Sequence, residues 1–134
     1  MQVVEYMLKK RLGIESIERE GLWVSSYFKI SPTLVIPEGV KEVGLYTFSN
    51  CRNVEKVLIP ESVKYIRFGA FMDCKKLREV VIPRNIEEIG DVAFAGCWDA
   101  EIILRKPESE FRFIGSSAFL NCRSVEYAKE ETRS

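Results

Sequence analysis

A constant interval governs this chain. Pro37 is followed by Pro60 and Pro83 at i+23 and i+46; Phe48, Phe71 and Phe94 keep that interval, and so do Cys51, Cys74 and Cys97. Phe119 and Cys122 then follow Phe94 and Cys97 at i+25. Periods of roughly 20–50 residues mark stacked architectures, because one unit cannot bury its own apolar face and leans on its neighbours. Four copies align, over 34–56, 57–79, 80–101 and 102–126. The last interval differs because one residue is lost between Cys97 and Ile102 and three are gained between Leu104 and Phe111. The gained segment, RKPESE, is polar and is expected to bulge outward.

Each position of the unit has a physical reading. In Leu77-x-x-Val80-x-Ile82 the apolar side chains face inward from a short strand. Pro83 follows and cannot donate to a ladder, so the strand ends there. The pairs Val40/Val43, Val63/Ile66, Ile86/Ile89 and Phe111/Ile114 predict a second, shorter extended stretch. Gly44, Gly90 and Gly115 let the chain bend after it. Arg67 holds the same place in the second copy, so either a positive φ is not obligatory there or Arg67 is strained. The pairs Thr47-Phe48, Ala70-Phe71, Ala93-Phe94 and Ala118-Phe119 set a small residue beside a large ring, as a tight corner packed from inside requires. The four rings are expected to form a ladder through the core. Burying one such side chain is worth roughly 1.5–3 kcal/mol, against about 1–2 kcal/mol of backbone entropy per residue. One coil supplies only five or six large apolar side chains and cannot stand alone.

The run L-x-x-V-x-I-P followed by x-x-V-x-x-I-G-x-x-A-F-x-x-C resembles the BspA-type leucine-rich repeat. The resemblance covers residues 34–126. It implies a short right-handed solenoid, an α/β repeat that is mostly β, with parallel strands on its concave face. It also implies non-catalytic roles, often adhesion or host contact by bacterial and protist cell-surface proteins.

Residues 1–33 fall outside the repeat. At the same interval Ser25 would replace Phe48 and Phe28 would replace Cys51, so the match fails. The segment is expected to cap the open end of the stack, which would otherwise expose apolar surface and strand edges. A helix is predicted over 2–12, where Val4, Leu8 and Leu12 recur at i+4 and Gly13 fits the position that ends a helix. A strand is predicted over 22–30. The solenoid is expected over 34–127 and a polar tail over 128–134. The N-terminal stretch does not read as a signal peptide, since its charges follow its apolar residues; this points to the cytoplasm for the chain as given, and to the cell surface if it is part of a protein typical of the family.

Lys plus Arg and Asp plus Glu number 20 each. No net field gathers nucleic acid, and no apolar run is long enough to insert in a membrane. There is no histidine, which removes the commonest general base and transition-metal ligand. The expectation is a chain that is not an enzyme and takes no cofactor.

The cysteines Cys51, Cys74, Cys97 and Cys122 are too widely spaced for a structural zinc site, which pairs its ligands closely along the chain. Buried free thiols are expected, and with the rings of Phe48, Phe71, Phe94 and Phe119 they form the structural core ladder. A disulfide is disfavoured because side chains in a parallel ladder point the same way. The outward strand positions carry the functional reading. Val35, Leu58, Val81 and Ile103 fall between inward neighbours and form an apolar row on the expected concave face, flanked by Lys56, Arg78 and Glu79. Contiguous exposed apolar surface marks a contact site. Trp98 stands where the other copies have Arg52, Lys75 and Arg123, and is a candidate hot spot. The sequence thus predicts a protein–protein interaction module whose partner is another protein. The alternatives are a structural or self-associating element forming a weak homodimer, and a carbohydrate or host-surface adhesion module using Trp23, Tyr46, Tyr65 and Trp98.

Overall fold

A computed structural model of the chain describes residues 16–17 and 32–130. Sheet A consists of β1 (Ser16–Ile17), β3 (Glu42–Val43), β5 (Tyr65–Ile66), β7 (Glu88–Ile89) and β9 (Phe113–Ile114), in that order. Sheet B consists of β2 (Thr33–Val35), β4 (Lys56–Leu58), β6 (Glu79–Ile82), β8 (Glu101–Leu104) and β10 (Ser124–Tyr127). All these pairings are parallel. The chain alternates between the sheets, so each coil gives one strand to each. The result is a mostly-β, parallel-strand solenoid of about four turns.

Local chemistry explains each side of a coil. In β6 the residues Glu79, Val80, Val81 and Ile82 alternate in exposure, with Val80 and Ile82 buried, as period-two strand geometry dictates. The carbonyls of Pro37, Pro60 and Pro83 then accept from Val40, Val63 and Ile86 at 3.3, 3.2 and 3.3 Å, closing a turn between the two sheets. After sheet A the chain turns again, and this corner has a ladder of its own. The amides of Phe48, Phe71 and Phe94 donate to Ala70, Ala93 and Ala118 of the next coil at 2.7, 2.7 and 2.8 Å.

The bend glycines serve a different purpose from the one expected. The left-handed residues of the corner are Tyr46, Gly69 and Val92, at φ 54°, 65° and 48°, and Asn50, Asp73, Gly96 and Asn121, at φ 59°, 60°, 80° and 64°. Gly44, Gly90 and Gly115 are not left-handed, and neither is Arg67. Gly90 instead permits close approach: a Cβ there would lie 2.5 Å from the backbone nitrogen of Phe68. Arg67 therefore bears no left-handed strain. Its Nε donates to Glu42, Nη1 lies 3.8 Å from Glu88, and the guanidinium sits 4.4 Å from the Tyr65 ring centroid. One side chain ties three coils together.

The rings stack through the core. Phe48–Phe71, Phe71–Phe94 and Phe94–Phe119 centroids lie 5.5, 5.0 and 5.9 Å apart with interplanar angles of 23°, 6° and 20°. The first three rings are fully buried, while Phe119 in the last described coil is half-buried.

Three findings modify the sequence expectations. Ser16–Ile17 pairs in register with Glu42–Val43, so sheet A extends into the segment read as separate from the repeat. Ser16 meets Glu42 at i+26, outside the interval that the other copies keep. The RKPESE segment does form an exposed 3-10 turn at Glu108–Glu110, but its first part is not a bulge. Pro107 is buried and Lys106 is 7% exposed, with Nζ 4.5 Å from the Phe111 ring centroid. The lysine stem covers the ring while the ammonium meets its π face, and burial lowers the Lys106 pKa. The helix expected over 2–12 and the strand over 22–30 lie outside the described residues. Of the expected tail, Ala128 still donates to Leu104 at 2.9 Å, continuing the ladder past β10.

Candidate interaction surface

The outward face of sheet B collects the residues that strand alternation leaves without a core role. Its register places Lys56 beside Glu79, Glu79 beside Glu101, and Val81 beside Ile103. Val35 pairs with Leu58. The sheet therefore brings Val35, Leu58, Val81 and Ile103 into one row. Leu58 is 44% exposed; the other three are half-buried. Glu126, in register with Ile103, ends the row.

Two shallow grooves meet at Leu58. One, of about 410 Å³, is lined by Val35, Pro37, Glu38, Leu58 and Pro60 among others. The second, of about 220 Å³, is lined by Lys56, Leu58, Glu61, Glu79, Val81, Pro83 and Arg105 among others. Charged groups thus border the apolar row on both sides. Lys56, Glu79 and Glu101 precede it on their strands; Glu38, Glu61 and Arg105 follow it. The sequence reading found Lys56 and Glu79 but not the others. Glu101 is the register partner of Glu79, so aligning the copies would have shown it. Arg105 stands where other copies have proline, and the inserted segment hides the equivalence.

Arg78 stands apart from this border. Its Nε lies 3.8 Å from Glu55 of the preceding coil, and both side chains are largely exposed. Such a pair contributes little to stability. Trp98 is 58% exposed at the corner leading into β8. Of the aromatic residues considered for sugar stacking, Tyr46 packs edge-on against Phe68 at 5.5 Å and Tyr65 lies under Arg67. Trp23 is outside the described residues.

The cysteines are free: Cys51, Cys74 and Cys97 are buried and Cys122 is half-buried. The Cys74, Cys97 and Cys122 thiols donate to the carbonyls of Phe48, Phe71 and Phe94 at 3.2, 3.2 and 3.1 Å. Each thiol thus links its coil to the preceding one. The neighbouring Cys97 thiol, and then burial, push the Cys122 thiol well above its ordinary range. Cys74 is pushed up by Cys51 first, with burial adding to it against an opposing pull from Cys97. At Cys97 the lowering influence of Cys122 is outweighed by Cys74 and burial.

Residues 25–129 match the family model described as the BspA type leucine-rich repeat region, in six copies. The chain belongs to the BspA-type leucine-rich-repeat family. That match begins upstream of Leu34, where the copies read from the sequence begin. A search of the curated proteins finds no match. Among solved structures, the chain is similar to a leucine-rich repeat protein of T. pallidum, with 24% identity and a TM-score of 0.69, over 87% of this chain and 53% of that one. It is also similar to the pneumococcal vaccine antigen PcpA, with 20% identity and a TM-score of 0.54, over 72% of this chain and 25% of that one. The chain thus spans about half of the T. pallidum structure. Both likenesses concern the fold.

In this BspA-type repeat the burial of the cysteine ladder predicts a slow reaction. A thiol-specific reagent at neutral pH should label the native protein sluggishly, with half-buried Cys122 first, and label all four cysteines at once in denaturant. Fewer than four reactive thiols in denaturant without reductant would contradict the free-thiol ladder.

Proposed function

We propose that this BspA-type repeat is a non-catalytic protein-interaction module that binds through the outward face of sheet B. The observation that carries the reading is the outward apolar row whose most exposed member is Leu58. Sheet faces open to water are ordinarily polar at outward positions; here apolar residues continue across successive coils between charged borders. An apolar centre with a polar rim is the anatomy of a protein interface. The absence of histidine from the sequence, and the upward push that neighbouring thiols and burial exert on Cys74, Cys97 and Cys122, support the non-catalytic reading. Tyr46 packs edge-on against Phe68 and Tyr65 lies under Arg67, so both rings are already engaged within the fold.

Leu58→Arg tests the reading. Because Leu58 is exposed, the substitution should shift stability by no more than about 0.5 kcal/mol. It should abolish capture of the partner from the native source. Retained capture by both Leu58→Arg and Val81→Glu would show that binding occurs elsewhere.

A further inference from the structure

Resting on that reading of sheet B, we infer that the partner for this face is a second copy of the same chain, packed face to face with its stack running in the opposite direction. The charged borders carry the inference. Lys56 and Glu79 sit side by side on adjacent strands, on one border and on either side of the midpoint of the row. On the other border Glu38 lies at the first coil and Arg105 at the fourth. A two-fold axis along the strand direction, between β4 and β6, superposes the row on itself in reverse. Leu58 then packs on Val81 of the second copy, and Lys56 faces Glu79. Arg105 comes opposite Pro37, within reach of the adjoining Glu38, and Glu101 faces the uncharged Thr33. By symmetry every contact is made twice, and no two like charges meet among them.

The groove lined by Leu58 and Val81 sits on this axis, so it meets the most exposed side chain of the row, Leu58. The alternative two-fold, along the row, would set Glu126 against its own copy. The reversed arrangement carries that carboxylate past the end of the four-coil row. Four strands about 4.8 Å apart make a small face against the roughly 1,200–2,000 Å² that stable complexes bury. The dimer is therefore weak and forms at high micromolar concentration and above.

Sedimentation equilibrium over a wide concentration range tests the inference. The wild type should show a monomer–dimer equilibrium that weakens at high salt and is lost in Leu58→Arg. Glu38 and Arg105 lie three coils apart and cannot meet within one chain, so exchanging their charges isolates the contact between copies. Glu38→Lys alone and Arg105→Glu alone should each raise the dissociation constant at least ~10-fold, since each sets like charges together twice. Mixed one to one, the two variants should dimerise again, close to the wild-type affinity. Wild type that stays monomeric throughout, or a mixture no better than either variant alone, would overturn the inference while leaving the binding face to be judged by partner capture. A dimer indifferent to Leu58→Arg would overturn the inference and show that this face is not where the chain self-associates.

Discussion

Phe71→Ala should destabilise the protein by about 3–5 kcal/mol, a large share of the roughly 5–15 kcal/mol that holds an ordinary domain together. The ring is fully buried and stacks on both sides, 5.5 Å from Phe48 and 5.0 Å from Phe94. Removing it leaves a cavity between coils that cannot collapse, because inter-coil hydrogen bonds at 2.7 Å from Phe48 to Ala70 and from Phe71 to Ala93 fix the spacing. In a solenoid each coil is stabilised by its two neighbours, so a gap in the second coil weakens both junctions. Urea unfolding followed by circular dichroism measures the loss. Phe119→Ala provides the internal comparison: that ring is half-buried and, among the described residues, stacks on Phe94 alone at 5.9 Å, so its loss should cost about half as much. Equal costs for the two substitutions would show that stacking on both sides is not what holds the second coil.

Gly90→Ala should cost about 1–3 kcal/mol, although it adds only a methyl group. The added carbon would lie 2.5 Å from the Phe68 nitrogen and 2.7 Å from the Arg67 carbonyl carbon. Both are backbone atoms, so no side chain can swing away. The coils must part locally, stretching the Gly90 amide from its 2.7 Å bond to Ile66. A thermal melt of Gly90→Ala beside Gly69→Ala compares this backbone clash with a left-handed position whose clash is with a side chain. Gly69 is left-handed at φ 65°, and its added carbon would lie 2.5 Å from the Tyr46 ring, a side chain rather than backbone. A larger loss at Gly69 would mean that its left-handed backbone and the Tyr46 ring together make a stricter demand than the backbone contact at Gly90.

The sequence reveals most about whatever repeats at a constant interval. The rings, the thiols and the turn-closing prolines recur at fixed spacing because each must meet its own kind in the next coil. The outward row is legible for the same reason, through strand alternation. The features that the sequence hides have either a broken interval or an unexpected cause. β1 meets β3 outside the common interval, Ser16 opposite Glu42, and the insertion displaces Arg105 from its equivalents. Lys106 reads as a solvated charge, yet its stem is drawn in by Phe111. Arg67 in the place of Gly44, Gly90 and Gly115 signals that no left-handed residue is required there, but it does not say where the left-handed residues lie. The better signal is the row before each cysteine, Asn50, Asp73, Gly96 and Asn121. These are the residue types that enter the left-handed region most readily.

The turn at Glu108–Glu110 shows how this framework absorbs extra chain. Three added residues leave the register intact on both sides, with Ile82 opposite Leu104 and Glu88 opposite Phe113. The added residues are taken up between β8 and β9, where Glu108, Ser109 and Glu110 are exposed. Closing a loop twice as long costs only about 0.6 kcal/mol more, so the same corner is the natural port for grafting a foreign peptide. The scaffold would present it at the side of the stack, while the strands above and below keep count.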